Sequence, residues 1–193
     1  VLRSVLSFYG VSNVPAWRDL WEHPQVAARR STCFESQPGA ASAWIRLGEL
    51  QAQECSCSTF DKAKFVAVLG ALRKKIVTPD TAIAYMRAQC AACGVAVSLV
   101  PEMLKAPWSG ATKWLTADKV MILLNLRGKA EDKFWFSFYH EAGHVLHDSK
   151  KDILINDGNS DDPREQRANT FAAEQLIPSH YNDCIRCAVS DAD

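Results

Sequence analysis

Apolar residues over the first 75 or so positions recur at helical spacing. Trp17, Leu20 and Trp21 follow at i, i+3 and i+4 behind Ser12-Asn13-Val14-Pro15, which predicts a capped helix start with proline in the first turn. Ala40 to Glu54 places Trp44, Leu47 and Leu50 on one stripe, after a break at Ser36 to Gly39. Phe60 to Lys74, after a second break at Cys55 to Thr59, carries Phe65, Val66, Val68, Leu69 and Leu72. A fourth helix is predicted from Thr78-Pro79, with Thr78 as N-cap, and Gly94 ends it. The period then shortens. Val95 to Val100, Ala111 to Leu115, Lys119 to Leu126 and Ile153 to Ile155 read as short strands. Arg127-Gly128-Lys129 leads into an apolar helix around Phe134 to His147. After a loop at Asp157 to Ser160, a last helix runs from Asp162-Pro163 to about Ile177, where Pro178 stops it. The order predicts an α+β fold. A helical region, 1–77, precedes a small domain, 78–193, whose short sheet packs on two facing helices.

Composition narrows the class. The chain has 193 residues, 48% hydrophobic and 23% charged, which is enough apolar material for a core and argues against general disorder. Lys plus Arg equals Asp plus Glu, 22 each, so no basic excess points to nucleic acid. Apolar runs such as Val120 to Leu124 are far too short to span a bilayer, so no membrane association is expected. The opening Val-Leu-Arg-Ser has neither an initiator Met nor a signal-peptide layout, which reads as an excerpt or a processed product. Seven cysteines cannot all pair within one chain; reduced thiols and a cytoplasmic location fit.

The chemistry concentrates in Phe134 to His147. His140-Glu141-Ala142-Gly143-His144 is an H-E-x-x-H pattern, and with 5 histidines in the chain its chance occurrence is rare. Residues four apart share one helix face, about 6 Å along the axis, so two imidazoles can reach one metal ion while Glu141 reaches a water beside it. Glycine weakens a helix interior by about 1 kcal/mol, so Gly143 calls for a close approach by a backbone or a substrate. A catalytic zinc ion (Zn²⁺) needs a third protein ligand. His147 would have to converge with the other two from a further turn of one straight helix, and a place at the helix C-terminus explains it. Glu165, on the next helix, is the better ligand, although Asp162-Pro163-Arg164-Glu165 is also a capping-box pattern. Asn169, one turn on, can accept a ring N–H from a ligating histidine and fix its tautomer. Glu174 lies about 13 Å further along the same helix and cannot substitute. The two C-x-x-C pairs, Cys90/Cys93 and Cys184/Cys187, are spaced too far apart for a zinc ribbon and read as packing thiols. His180 and Tyr181 could stabilise a tetrahedral intermediate, but surface positions suffice to explain them.

His140-Glu-Ala-Gly-His144, followed by Glu165-Gln-Arg-Ala-Asn169-Thr-Phe171-Ala-Ala-Glu174-Gln-Leu-Ile-Pro178, resembles the ImmA/IrrE family of zinc metallopeptidases over about residues 78 to 180. Phe8 to Trp17 and Trp44 to Glu49 resemble the linker of members that carry an N-terminal helix-turn-helix. No such motif is visible here, so DNA contact would come only through a segment absent from this sequence. One position departs from the pattern: many members have a glutamate directly before the Ala-Asn, where this chain has Arg167. The resemblance implies a cytosolic zinc endopeptidase that cleaves a regulatory protein, a repressor or antitoxin-like regulator, and so switches genes under stress. A strand ahead of the motif helix, Ala111 to Leu115, is expected to align the substrate backbone by strand addition. The rival expectation is a regulatory module whose zinc is structural and which cleaves nothing. Glu141 favours the enzyme, because a structural site has no need of it.

Overall fold

A computed structural model describes residues 1–21, 37–76, 79–125, 131–156 and 162–181. In chain order these form α1 (Leu2–Tyr9), α2 (Val14–Trp21), α3 (Pro38–Glu54), α4 (Lys62–Arg73), α5 (Pro79–Ala91), β1 (Val95–Val100), β2 (Gly110–Trp114), β3 (Val120–Asn125), α6 (Glu131–His147), β4 (Ile153–Ile155) and α7 (Pro163–Leu176). A short 3₁₀ turn, Ser179–Tyr181, follows. The fold is α+β with a helical N-terminal region. The expected Thr78 cap, the Arg127–Lys129 lead-in, the Asp157–Ser160 loop and Cys184/Cys187 lie outside the described residues.

Local chemistry sets the helix ends. The Asn13 side chain accepts from the Ala16 N–H, the Asp61 side chain from Lys64 and the Asp162 side chain from Arg164. Gly94, at φ +88°, takes the left-handed conformation that turns the chain out of α5 and into β1. Pro38 and Gly39 are not a break. Pro38 sits at the first position of α3, where its missing N–H costs nothing. The buried stripe of α3 also differs from the expected one: Ala41, Trp44, Ile45, Gly48 and Ala52 are buried, while Leu47 and Leu50 are only partly covered. Small residues bring this helix close to the sheet, and close packing outweighs side-chain size.

The sheet is mixed, in the order β1-β3-β2-β4. β1 runs parallel to β3, while β2 is antiparallel to both β3 and β4. Both faces are covered, which is why β3 is apolar from Val120 to Leu124. Val95, Val97, Val120, Ile122 and Leu124 face α4, α5, α6 and α7. Ala96, Val100, Ala111, Met121, Leu123, Ile153 and Ile155 face α3 and Trp21 of α2. Each core thus draws on residues from both sides of position 77. Buried Glu49 of α3 pairs with Arg46, at 2.8 Å, and with Lys113 of β2. The Arg46 Nε donates to the Phe8 carbonyl of α1, at 2.7 Å.

This topology corrects one expectation. β2 has a partner strand on each side, Ala111–Lys113 pairing with Ile153–Ile155 as well as with β3. Its backbone groups are occupied, so no substrate strand can add to it. The edges are β1 and β4.

Candidate metal centre

The second half of α6 is enclosed. From Ser137 to Leu146 every residue is buried, because the sheet covers one side and α7 the other. Two hydrogen bonds fix α6 to α4: Tyr139 Oη donates to the Leu69 carbonyl (3.0 Å), and Lys62 Nζ to the Leu146 carbonyl (2.8 Å). A Cβ on Gly143 would sit 3.2 Å from the Ala168 Cα and 3.3 Å from Phe171. The close approach that glycine called for is therefore α7 itself. It brings Glu165 of α7 against the two histidines of α6.

His140, His144 and Glu165 are buried and converge. The His140 Nε2 lies 3.0 Å from Glu165 Oε2, and the His144 Nε2 lies 3.3 Å from Glu165 Oε1. The two Nε2 atoms are 3.0 Å apart. On the outer side, His140 Nδ1 is 2.9 Å from Asn169 Oδ1, and His144 Nδ1 is 2.7 Å from Asp148 Oδ2. Each ring can donate its Nδ1–H outward to an oxygen, which turns both Nε2 lone pairs inward towards the Glu165 carboxylate. Lone pairs that close need a proton or a metal ion between them. Among the described residues this is the one group of His, Cys, Asp and Glu whose ligand atoms are close enough to share an ion.

Glu141 is fully buried between α6 and β2. Its Oε2 accepts from the Thr112 hydroxyl of β2 at 2.8 Å, while Oε1 has no hydrogen-bond partner. Burial pushes its carboxyl up, partly offset by the charges of His140 and His144. A buried carboxylate oxygen without a partner, on a side chain that feels the charges of both histidines, fits a metal site: the two Nε2 atoms and Glu165 could hold an ion, and a water beside it would give Oε1 a donor. Gly110 makes room for this carboxylate, since a Cβ there would lie 2.5 Å from Glu141 Oε1. Gly110→Ala should therefore displace the Glu141 side chain, at the cost of about 1–3 kcal/mol typical of overpacking, and leave the histidines in place. A thermal melt combined with zinc analysis checks this: lower stability with unchanged metal content is expected.

An 820 Å³ cleft opens beside the centre, with Glu165 and Asn169 in its wall. Ser109 and Asn156 lie at the sheet end, and Trp135, Phe136, Leu176 and Ile177 supply an apolar side.

Residues 105–182 match the family model described as the IrrE N-terminal-like domain, a peptidase family. Over these residues the chain is similar to the ImmA/IrrE metallopeptidases. Comparison with curated proteins and with solved structures gave no match. The family is metal-dependent, and the matched span holds the whole His140–His144–Glu165 group.

The remaining expected residues sort by position. Glu165 does not act as the reciprocal half of a capping box, because its carboxylate faces the histidines. His147 is exposed at the end of α6 with its ring 5.7 Å from that of Phe171, away from the cluster. Glu174 accepts from Ser179 at the far end of α7. His180 and Tyr181 are exposed, with their rings in tilted contact. Arg167 pairs with Asp148, on the outer side of His144.

Two residues were not anticipated: Asp148 and Thr112. Asp148 lies four residues beyond His144, the same helical spacing that joins His144 to His140, so its signal was present. Thr112 is brought to Glu141 by tertiary packing, and no local pattern marked it.

Burial would raise the Glu165 carboxyl, but the imidazoles of His140 and His144 against it hold it down at about 2. Burial would lower the His144 pKa, but hydrogen bonds to Asp148 and Glu165 push it up to about 10. The metal-free His144 is thus protonated at neutral pH, and an incoming ion must displace that proton. A raised pKa gives stability that is present below the unfolded value near 6.5 and lost as pH rises through about 10. Proton competition with the metal therefore weakens as pH rises. Zinc affinity should strengthen about tenfold per pH unit between about pH 6 and 8, with one proton released per ion. Competition titrations with a chelator measure this, and a flat profile would contradict the assignment of the proton.

Proposed function

We propose that the domain is a zinc-dependent endopeptidase, with the metal held by His140, His144 and Glu165. The observation that carries the reading is the unpartnered oxygen of buried Glu141, a side chain that feels the charges of the converging His140, His144 and Glu165. Zinc, when bound, supplies acidification of a water and polarisation of a peptide carbonyl. Glu141 takes the water's proton on Oε1. Its burial makes the carboxylate a better base than an exposed one, and Thr112 holds Oε2 so that Oε1 keeps its aim. Glu141 then passes the proton to the leaving amine nitrogen. Asn169 and Asp148 keep the two imidazoles oriented.

The substrate chain lies in the cleft. Of the two sheet edges, β4 is the one that leads into it, through Asn156, so an extended segment of the substrate pairs with β4 in place of β2. The substrate we propose is a DNA-binding repressor or antitoxin-like regulator, cleaved in the cytoplasm to change gene expression. Residues 78–193 form the catalytic unit, with 1–77 as a helical linker region whose α3 and α4 also support the sheet. No described helix is long and apolar enough to cross a membrane.

Incubation with regulators encoded beside the gene tests this. Zinc-loaded protein should cut one of them at a defined bond, and metal-stripped protein should leave it intact. Regulators that stay intact in both forms but bind the protein tightly would favour the non-proteolytic module.

A further inference from the structure

The connection between α3 and α4 reads Cys55-Ser56-Cys57-Ser58-Thr59-Phe60-Asp61 and forms neither helix nor strand after Glu54. The Cys57 Sγ lies 3.7 Å from the Cys55 Sγ, with the Cys57 thiol as donor. Both side chains are half-buried, and Ser56, Ser58 and Thr59 around them are exposed, so a small reagent can reach the pair. The strip is anchored on both sides. Ser58 N–H donates to the Ala91 carbonyl (3.0 Å), Asp61 N–H to the Cys93 carbonyl (3.1 Å) and Lys119 Nζ to the Cys55 carbonyl (2.6 Å). Cys90 and Cys93 lie next to this strip and are buried, with under 2% of their surface exposed.

These thiols take no part in the metal centre. They do not make a second one either, since the four sulfurs do not gather about a point as His140, His144 and Glu165 do. A pair of adjoining, reachable thiols on a non-regular backbone has a different use. We propose that Cys55 and Cys57 form a redox-active dithiol that closes to a reversible disulfide on reaction with small disulfides of the glutathione type.

The geometry assigns the roles. A disulfide needs its sulfurs at about 2.05 Å and its Cα atoms about 4.4–6.8 Å apart. Residues i and i+2 of an irregular segment reach that range by a local turn, with no movement of the flanking helices. The Cys57 S–H points at the Cys55 sulfur, so Cys55 is assigned the first attack and Cys57 the second. Burial, together with that hydrogen bond, pushes the Cys57 thiol up to about 11 and keeps it protonated at neutral pH, as suits the second step. In the first step the Cys55 thiolate attacks one sulfur of the small disulfide. The disulfide's S–S bond breaks, a mixed disulfide forms on Cys55, and one small thiolate leaves. Cys57 then loses its proton to solvent and its sulfur attacks the Cys55 sulfur, expelling the second small thiolate. In sum the two protein thiols are oxidised by two electrons, the small disulfide is reduced to two thiols, and the two cysteine protons end on those thiols.

The test uses the intact chain in glutathione disulfide, followed by alkylation and mass mapping of every cysteine. The expected product is a disulfide within the peptide spanning Cys55 and Cys57, reversed by reduced glutathione, with Cys90 and Cys93 still as thiols. Cys57→Ser should accumulate glutathione on Cys55. Cys55→Ser should leave Cys57 reacting at least about tenfold more slowly than Cys55 does in the wild type. If either variant fails to fold, the wild-type mapping decides alone. Cys55 and Cys57 remaining as free thiols in excess glutathione disulfide, an oxidised link from Cys57 to Cys93, or Cys57 reacting before Cys55 would each overturn the proposal.

Discussion

Glu141→Gln should abolish nearly all proteolysis while leaving the fold and the metal intact. The amide has almost the shape of the carboxylate and can still accept from Thr112 through its oxygen. It is not one of the three converging ligand groups, so zinc content should match the wild type. It cannot take a proton from water, and general-base catalysis contributes about 10²–10⁴-fold in rate. The variant should also be at least as stable as the wild type when metal-free. Burial disfavours the Glu141 charge, and Oε1 has no partner to offset that cost. Steady-state cleavage assays and a thermal melt on one preparation give both readings. Retained cleavage at the wild-type rate would remove Glu141 from the chemistry.

The second large effect belongs to the ligands. His140→Ala should reduce zinc affinity by well over the roughly 10–100-fold expected from loss of an outer partner such as Asn169. It removes one of three donors and leaves Asn169 Oδ1 with no ring N–H to accept. Glu165→Gln should do the same by another route. The amide keeps the bulk, but the negative charge that faces both Nε2 atoms is lost. Activity should fall with affinity in both variants and return in part at high zinc. Glu141→Gln, by contrast, should not respond to added metal. That contrast separates a ligand from a base more firmly than the loss of activity, which all three share.

Much of this centre was legible before the fold. The i, i+4 spacing of His140 and His144 depends only on helix geometry, and the helix was marked by its apolar run. Glu165 was reachable because Asp162-Pro163 fixed where α7 begins, which put Glu165 and Asn169 one turn apart. What stayed hidden depends on how distant segments meet. β2 looked available to a substrate because it precedes the motif helix. In the fold β3 passes β2 to lie parallel to β1, and the chain returns after α6 to add β4 on the other side. No local pattern encodes that order. The face of α3 was misread for a related reason, since a helix lying close to a sheet buries alanine and glycine and leaves its leucines at the margin. Thr112 reaches Glu141 only through the packing of α6 on the sheet, and Arg167 acquires its role only once Asp148 stands opposite.

The most direct test of the metal centre is X-ray absorption at the zinc edge on protein loaded with one equivalent of zinc. The arrangement of His140, His144 and Glu165 predicts nitrogen and oxygen neighbours alone, two imidazoles at about 2.0–2.1 Å and carboxylate or water oxygen at about 2.0–2.2 Å. Sulfur neighbours near about 2.3 Å, or zinc that washes away without stoichiometric binding, would contradict it.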